Sequence, residues 1–203
     1  VGVKSDLLDR RLRVNVAAFQ SDYSGMQIVV QEGIGPKLRN AGTGRIKGIE
    51  IEGELVPIDW LRVNFGLGYL DAYYRSLAPN AVGLSLDSRF AFVPKWTGSS
   101  SVSAEVYNSG RGILTLNGNW SYQSSTFKDA ANNPLLFQPA YSVFGASASF
   151  MGANDHYKIT AGVTNIGDKR FIRGGFSDPQ TIGTTIGSYS RPREWFLKVS
   201  YKY

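Results

Sequence analysis

Leu61-Arg62-Val63-Asn64-Phe65-Gly66-Leu67-Gly68-Tyr69 is the stretch whose reading decides the fold. Leu61, Val63, Phe65, Leu67 and Tyr69 take every second position, and Arg62, Asn64, Gly66 and Gly68 fill the gaps. Side chains on a strand point alternately to opposite faces, so period two predicts a strand with one apolar and one polar face. The pattern recurs in Leu12, Val14, Val16 and Ala18, in Leu114, Leu116, Gly118, Trp120 and Tyr122, and in Trp195, Leu197, Val199, Tyr201 and Tyr203. None of these four apolar lanes holds a charge.

Weaker lanes follow the same rule. Ile49, Ile51, Gly53 and Leu55 alternate with Glu50, Glu52 and Glu54, and Ile159, Ala161 and Val163 alternate with Lys158, Thr160 and Gly162. Phe144, Ala146, Ala148 and Phe150 make a lane of small and aromatic residues, and Phe90, Phe92, Pro94 and Trp96 lead into Val102, Ala104 and Val106. No apolar stripe of helical period occurs, and the Gly, Ser, Thr and β-branched content is unfavourable to helix. With Val1–Leu7 as a short first segment, the chain reads as nine antiparallel strands.

Composition narrows the chemistry. The 203 residues include 23 glycines, and the charged share is 19%, below the roughly 25% of soluble domains. There is no cysteine, which removes disulfides, thiolate metal sites and a cysteine nucleophile, and one histidine, His156, leaves little for His-based metal or acid–base work. The net charge of +6 comes from scattered residues, so nucleic acid is not expected as a partner. Val1 follows no initiator methionine or leader, so the chain is expected to be part of something larger.

Short polar or Pro/Gly turns at Leu8–Arg11, Pro57–Trp60, Asn108–Gly112 and Gly152–His156 alternate with long connections near Gln31–Gly44, Ala72–Ser88, Ser124–Gln138 and Gly167–Ser190. One end of the sheet needs only closing, whereas the other is free to vary, as in outer-membrane barrels with short periplasmic turns and long extracellular loops. A soluble β-sandwich or propeller also alternates. However, Leu12–Gln27, Leu61–Tyr74 and Ile113–Phe127 exceed the five or six residues usual for soluble strands and reach the roughly 9–11 that cross a bilayer. Aromatics bracket the lanes, with Trp60, Trp195, Tyr69, Tyr122, Tyr201 and Tyr203 near strand ends. Arg13, Glu50, Glu52, Glu54, Arg62, Lys158 and Lys198 all fall opposite the apolar lane, where they avoid the cost of about 2–4 kcal/mol for a basic residue facing lipid.

Two stretches carry a family resemblance. Asn40-Ala41-Gly42-Thr43-Gly44-Arg45-Ile46-Lys47-Gly48-Ile49-Glu50-Ile51-Glu52-Gly53-Glu54-Leu55, with Leu61–Asp71 after it, resembles the C-terminal half of a TonB-dependent outer-membrane receptor. Gly162-Val163-Thr164-Asn165-Ile166-Gly167-Asp168-Lys169-Arg170-Phe171 is similar to that family's "G-V-x-N-L-x-D-K-x-Y" strand, and Phe92-Val93-Pro94-Lys95-Trp96 to its strand entry. The resemblance implies a 22-stranded antiparallel transmembrane β-barrel of the Gram-negative outer membrane, of the siderophore-receptor type. Residues 1–203 would be its C-terminal segment, about nine strands, with the N-terminal plug domain and the first strands absent. It implies no enzyme and no cofactor. The partners implied are outer-membrane lipid, the plug of the same protein, the TonB energy-transducing complex acting through that plug, and a ferric siderophore or comparable ligand. Dropping the first segment leaves a second reading, a self-contained eight-stranded OmpA-like structural or adhesive barrel.

Tyr73, Tyr74, Arg75, Arg170, Phe171 and Arg173 are the candidate ligand contacts, because aromatic and guanidinium groups on long loops suit bulky anionic chelates. Leu197, Val199, Tyr201 and Tyr203 resemble the end-strand signal read during barrel assembly, which strand addition to an exposed edge would explain. Glu50, Glu52 and Glu54 are read as a solvated lumen lane paired with basic residues of adjacent strands or of the plug, and His156 as a surface residue. No catalytic or metal site is expected. Gly33-Ile34-Gly35 and Gly42-Thr43-Gly44 lack the spacing of a phosphate loop, and Asn119-Trp120-Ser121 lies mid-strand.

Overall fold

In the computed structural model the deciding stretch forms the first part of a strand, Leu61–Leu77, in the middle of an antiparallel sheet. The structure describes residues 1–32, 35–79, 81, 83–178 and 183–202. Its strands are β1 (Gly2–Leu7), β2 (Leu12–Glu32), β3 (Gly35–Ile58), β4 (Leu61–Leu77), β5 (Trp96–Ser109), β6 (Gly112–Gln123), β7 (Thr126–Phe127), β8 (Phe137–Gln138), β9 (Tyr141–Gly152), β10 (Tyr157–Thr164), β11 (Ile172–Asp178), β12 (Thr184–Tyr189) and β13 (Glu194–Tyr201). Nine of them build one sheet in the order β1-β2-β3-β4-β5-β6-β9-β10-β13, while β7–β8 and β11–β12 are small hairpins within two of the long connections. A single 3₁₀ turn, Pro134–Leu136, is the one helical element among the described residues. No helix of the described residues is long and apolar enough to cross a membrane.

Cross-strand partners share a face, so the register tests the lanes directly. One row runs Leu7, Leu12, Leu55, Val63, Val102, Gly118, Ala146, Val163 and Trp195 across all nine strands. The row on the other face runs Asp6, Arg13, Glu54, Asn64, Ser101, Asn119 and Gly145. The apolar face stays free of charge up to Ala18, Ile49, Tyr69 and Trp96, and only past that row come Gln20, Lys47 and Asp71. Tyr69 and Trp96 touch there with ring centroids 4.6 Å apart, and the Lys95 ammonium lies 5.7 Å from the Tyr69 ring centre. An aromatic pair with a cation above it, exactly where charge begins, marks the edge of an apolar slab.

Much of the glycine excess sits under rings. A Cβ at Gly53 would lie 2.3 Å from the Phe65 ring, one at Gly48 2.4 Å from Phe19, and one at Gly162 2.5 Å from Phe196, so each ring covers the bare backbone of its neighbouring strand. Gly42 has a different reason: at φ 130° it forms part of an irregular register, and a Cβ there would lie 2.1 Å from the Ser76 carbonyl.

The four short turns fall at the expected places, and at Leu8–Arg10 three successive residues take positive φ. Three expectations need correction. The segment Gln31–Gly44, read as loop, continues the β2–β3 ladder to the pair Glu32 and Gly35, because register shifts near Met26 and Gly42 absorb the glycines that looked like loop punctuation. Phe90–Lys95, read as the start of a strand, is irregular, and β5 begins only at Trp96. The strand read as Ile113–Phe127 ends at Gln123. The sheet is also open: among the described residues β1 and β13 do not pair, so no eight-stranded closed barrel forms.

Candidate functional site

The four short turns close one end of the sheet, and at the other end three long connections are stitched together over its polar face. Connection 78–95 is latched to connection 124–140 by a reciprocal pair, the Arg89 N–H donating to Asn132 Oδ1 (2.7 Å) and Asn132 Nδ2 to the Arg89 carbonyl (2.9 Å). The Phe92 N–H donates to the Phe127 carbonyl (2.9 Å), and the Arg89 guanidinium stands 5.7 Å from the Phe127 ring centre. Connection 124–140 in turn holds the β11–β12 hairpin. Gln138 Oε1 accepts from the Ile172 N–H (2.6 Å), Asn133 Nδ2 donates to Ser177 Oγ, and Leu136, 1% exposed, packs where a Cβ on Gly175 would be.

Between these parts and the outer end of β2 lies a cavity of about 690 Å³. Its floor is the aromatic pair Tyr74 and Phe90, centroids 4.6 Å apart, with Met26, Ile28, Leu84 and Val93 against it. Tyr74 is on the polar face because it pairs with Gly44 in register with Glu50, Glu52 and Glu54. Lys128 enters the wall of the cavity almost wholly buried, with its ammonium 5.4 Å from the centre of the Phe92 ring. Burial holds the Lys128 amine below the ordinary lysine range. Phe92 itself has φ 64°, a conformation in which a bulky residue is an outlier.

The sequence-derived candidates divide. Tyr74 lines the cavity. Tyr73 pairs with Arg45 on the other face of the wall, where Arg75 reaches Asp22 at 3.5 Å and Arg45 reaches it at 2.6 Å. The hydrogen bond from Arg45 holds the Asp22 carboxyl below the usual carboxylate range. Arg170 stacks on Tyr189 (4.2 Å) and Phe171 on Tyr141 (4.1 Å), and neither these nor Arg173 lines the cavity. Sequence reading missed Lys128, Phe92 and Met26, because the cavity is made by three connections whose mutual packing leaves no periodic trace.

At the other end, Leu197, Val199 and Tyr201 stand exposed on the apolar face of the edge strand β13, and Tyr203 lies outside the described residues. Glu54 meets Arg62 at 3.9 Å, while no basic side chain among the described residues reaches Glu50 or Glu52 within ion-pair distance. His156 sits in the turn with Nδ1 3.0 Å from the Lys202 carbonyl. Among the described residues no group of acidic or histidine side chains is arranged to hold a metal.

A sheet with one face free of charge between aromatic belts, a polar opposite face, tight turns at one end and interlocked loops at the other is the wall of a transmembrane β-barrel. Residues 1–166 match the family described as TonB dependent receptor-like, beta-barrel, and the chain belongs to that family. Family membership places it in the outer membrane of a Gram-negative bacterium. Among solved structures it is similar to the ferric yersiniabactin uptake receptor FyuA of Yersinia pestis, with TM-score 0.80 and 17% identity over 98% of this chain and 28% of that one. The ferric preacinetobactin receptor BauA of Acinetobacter baumannii aligns with TM-score 0.70 and 24% identity, over 98% of this chain and 28% of that one. The pyoverdine receptor FpvA of Pseudomonas aeruginosa, bound to pyoverdine, aligns with TM-score 0.68 and 18% identity, over 100% of this chain and 29% of that one. The chain thus spans under a third of the length of these receptors.

Proposed function

We propose that the chain is the C-terminal part of the barrel of an outer-membrane receptor that imports a ferric siderophore or a comparably scarce nutrient, without bond-making chemistry of its own. In this reading a plug domain and the first strands precede residue 1, and TonB delivers energy through that plug. The observation that carries it is the cavity of about 690 Å³ under interlocked loops, on the polar face of a membrane wall whose family is that of receptors. Its apolar floor with few polar groups has the make-up of a small-molecule site. Glu50 and Glu52, which in this reading face the lumen and have no ion-pair partner among the described residues, are then available to basic groups of the plug.

The full-length receptor, in a Gram-negative host stripped of its own siderophore receptors, is expected to restore uptake of ⁵⁵Fe from at least one of a panel of ferric siderophores. Uptake should disappear when tonB is deleted. Transport of every accepted substrate persisting without TonB would refute the proposal. The same reading makes Leu197, Val199, Tyr201 and Tyr203 an assembly signal. Deleting Tyr203 from the full-length protein should lower the amount assembled in the outer membrane several-fold while leaving the denaturation midpoint of the assembled fraction unchanged. An unchanged amount would remove the signal role.

A further inference from the structure

On the lipid-facing side of the wall, charge returns directly outside the apolar slab at the loop end, and most of it is positive. Beyond the row Ala18, Ile49, Tyr69 and Trp96, that face continues through Gln20, Lys47 and Asp71 and then through Asp22, Arg45 and Tyr73. Arg75, at the β3–β4 register shift, reaches back to Asp22, so two guanidiniums share one carboxylate oxygen, Arg45 Nε at 2.6 Å and Arg75 Nη1 at 3.5 Å. Lys47 is exposed, and no carboxylate among the described residues comes within 4.0 Å of its ammonium, although Asp71 is its cross-strand partner. Lys95 has only the Tyr69 ring, 5.7 Å away. In this patch the four cations Arg45, Lys47, Arg75 and Lys95 stand against the two carboxylates Asp22 and Asp71, which leaves two positive charges over.

Depth decides what can meet them. Rows on one face are two residues apart, about 6.6–6.8 Å along a strand, which the tilt of a membrane strand reduces to roughly 5 Å of depth. Lys47 therefore lies about 5 Å and Arg45 about 10 Å outside the aromatic row, against a headgroup zone roughly 5–7 Å thick that a long basic side chain spans by bending back. The surface there is concave. An open hollow of about 690 Å³ is lined toward mid-membrane by Ala18, Ile49 and Tyr69 and toward the loops by Gln20, Lys47 and Asp71. Its apolar end lies at acyl-chain depth and its cationic end at phosphate depth. A soluble anion would leave Ala18 and Ile49 uncovered, and a neutral lipid would leave Lys47 unpaired. Two surplus positive charges match a phosphate monoester, which carries nearly two negative charges, better than a diester, which carries one. Guanidinium forks suit its oxygens.

We propose that this hollow and its cationic rim bind a phosphorylated glycolipid of the outer leaflet, with a phosphate monoester on Lys47, Arg45 and Arg75 and an acyl chain along Ala18 and Ile49. The proposal follows from the faces of the sheet and from family membership, and it is independent of what the receptor imports.

The test uses the purified full-length receptor in neutral detergent, with lipid retention read by native mass spectrometry. Three lipids are added: an acylated glucosamine disaccharide carrying phosphate monoesters, the same lipid with its phosphates removed, and phosphatidylglycerol, a diester. The wild type should hold the first at least tenfold more tightly than the second, and more tightly than the third. Lys47→Gln, which changes an exposed side chain without an ion-pair partner among the described residues, should weaken the phosphorylated lipid several-fold, because each basic residue at an anionic leaflet contributes a few-fold to the attraction. Arg45→Gln combined with Arg75→Gln should weaken it about tenfold, and neither change should affect the dephosphorylated lipid. Lys158→Gln combined with Lys198→Gln, on the opposite face, should alter neither lipid, whereas Ile49→Trp fills the hollow and should weaken both. Equal retention of the phosphorylated and dephosphorylated lipids by the wild type, an unchanged affinity in Lys47→Gln, an equal loss on removing Lys158 and Lys198, or a preference for the diester overturns the proposal. Iron uptake by the wild type is scored separately, so failure here with uptake intact rejects the lipid site and leaves the import reading standing.

Discussion

Leu116→Arg is expected to destabilise the assembled receptor by about 2–4 kcal/mol, whereas Asn117→Arg next to it changes stability by less than about 0.5 kcal/mol. The contrast follows from the register. Leu116 lies near the middle of β6 in a row with Ala104 and Ala148 on the charge-free face, and its side chain is 44% exposed on a surface that meets acyl chains. A guanidinium there has no water and no partner, and near mid-membrane it can reach neither interface. Asn117 lies between Ser103 and Ser147 on the polar face, where the neighbours are small enough to admit a longer side chain and water solvates the charge. Urea denaturation of the full-length protein folded into lipid vesicles, followed by Trp fluorescence, measures both. Equal effects of the two substitutions, or a larger one for Asn117→Arg, would mean that the faces are assigned the wrong way round.

The wall was legible because a membrane strand imposes period two over its whole length, and a lipid face excludes charge without exception. Leu61 to Tyr69 therefore shows its orientation residue by residue, and the cross-strand rows confirm it for strands read only weakly, such as Phe144 to Phe150. Legibility ends where the constraint ends. Past Tyr69 and Trp96 the same lanes carry Asp71, Arg45 and Asp22, and the alternation that placed Tyr73 and Tyr74 one residue apart puts them on opposite sides of the wall. Treating that pair as one ligand-contact cluster ignored the period that had been used everywhere else.

The loop end was unreadable for a different reason. Phe90, Phe92, Pro94 and Trp96 have strand spacing, yet the chain there is bent to deliver Phe90 to Tyr74 and Phe92 to Lys128. The partners that decide this, Asn132 for Arg89 and the Phe127 carbonyl for Phe92, are more than 30 residues away in sequence. Local pattern carries no information about such pairings, and tertiary hydrogen bonds override it. Gly42 shows the converse: it falls in the stretch that reads as loop, yet it lies within β3, where its positive φ accompanies a change of register in the β2–β3 ladder.

Asn165→Ala is the substitution from which the largest loss of stability is expected, about 3–4 kcal/mol. Asn165, in the motif Gly162–Phe171 and directly after the end of β10, is 7% exposed and has φ 50°. Its side chain satisfies three backbone groups: Nδ2 donates to the carbonyls of Lys169 (3.0 Å) and Arg191 (3.2 Å), and Oδ1 accepts the Lys169 N–H (2.8 Å). Asp168, also left-handed, accepts the Arg193 N–H at 2.8 Å, and Arg193 returns a bond to the Ile166 carbonyl at 3.2 Å. The motif therefore ties the exit of β10 to the entry of β13 across the base of the β11–β12 hairpin. Alanine removes three hydrogen bonds of about 1 kcal/mol each and places a residue with a Cβ and no local hydrogen bond in the left-handed region, at about 1 kcal/mol more. Two further variants separate these contributions. Asn165→Gly relieves the backbone penalty and should recover about 1 kcal/mol, while Asn165→Asp keeps the bond from the Lys169 N–H, loses both donations, and should fall between Gly and wild type. Denaturation midpoints of the assembled full-length protein would give the order wild type, Asp, Gly, Ala. An alanine variant as stable as the wild type would show that the clamp does not hold β13, the edge strand that carries Leu197, Val199 and Tyr201.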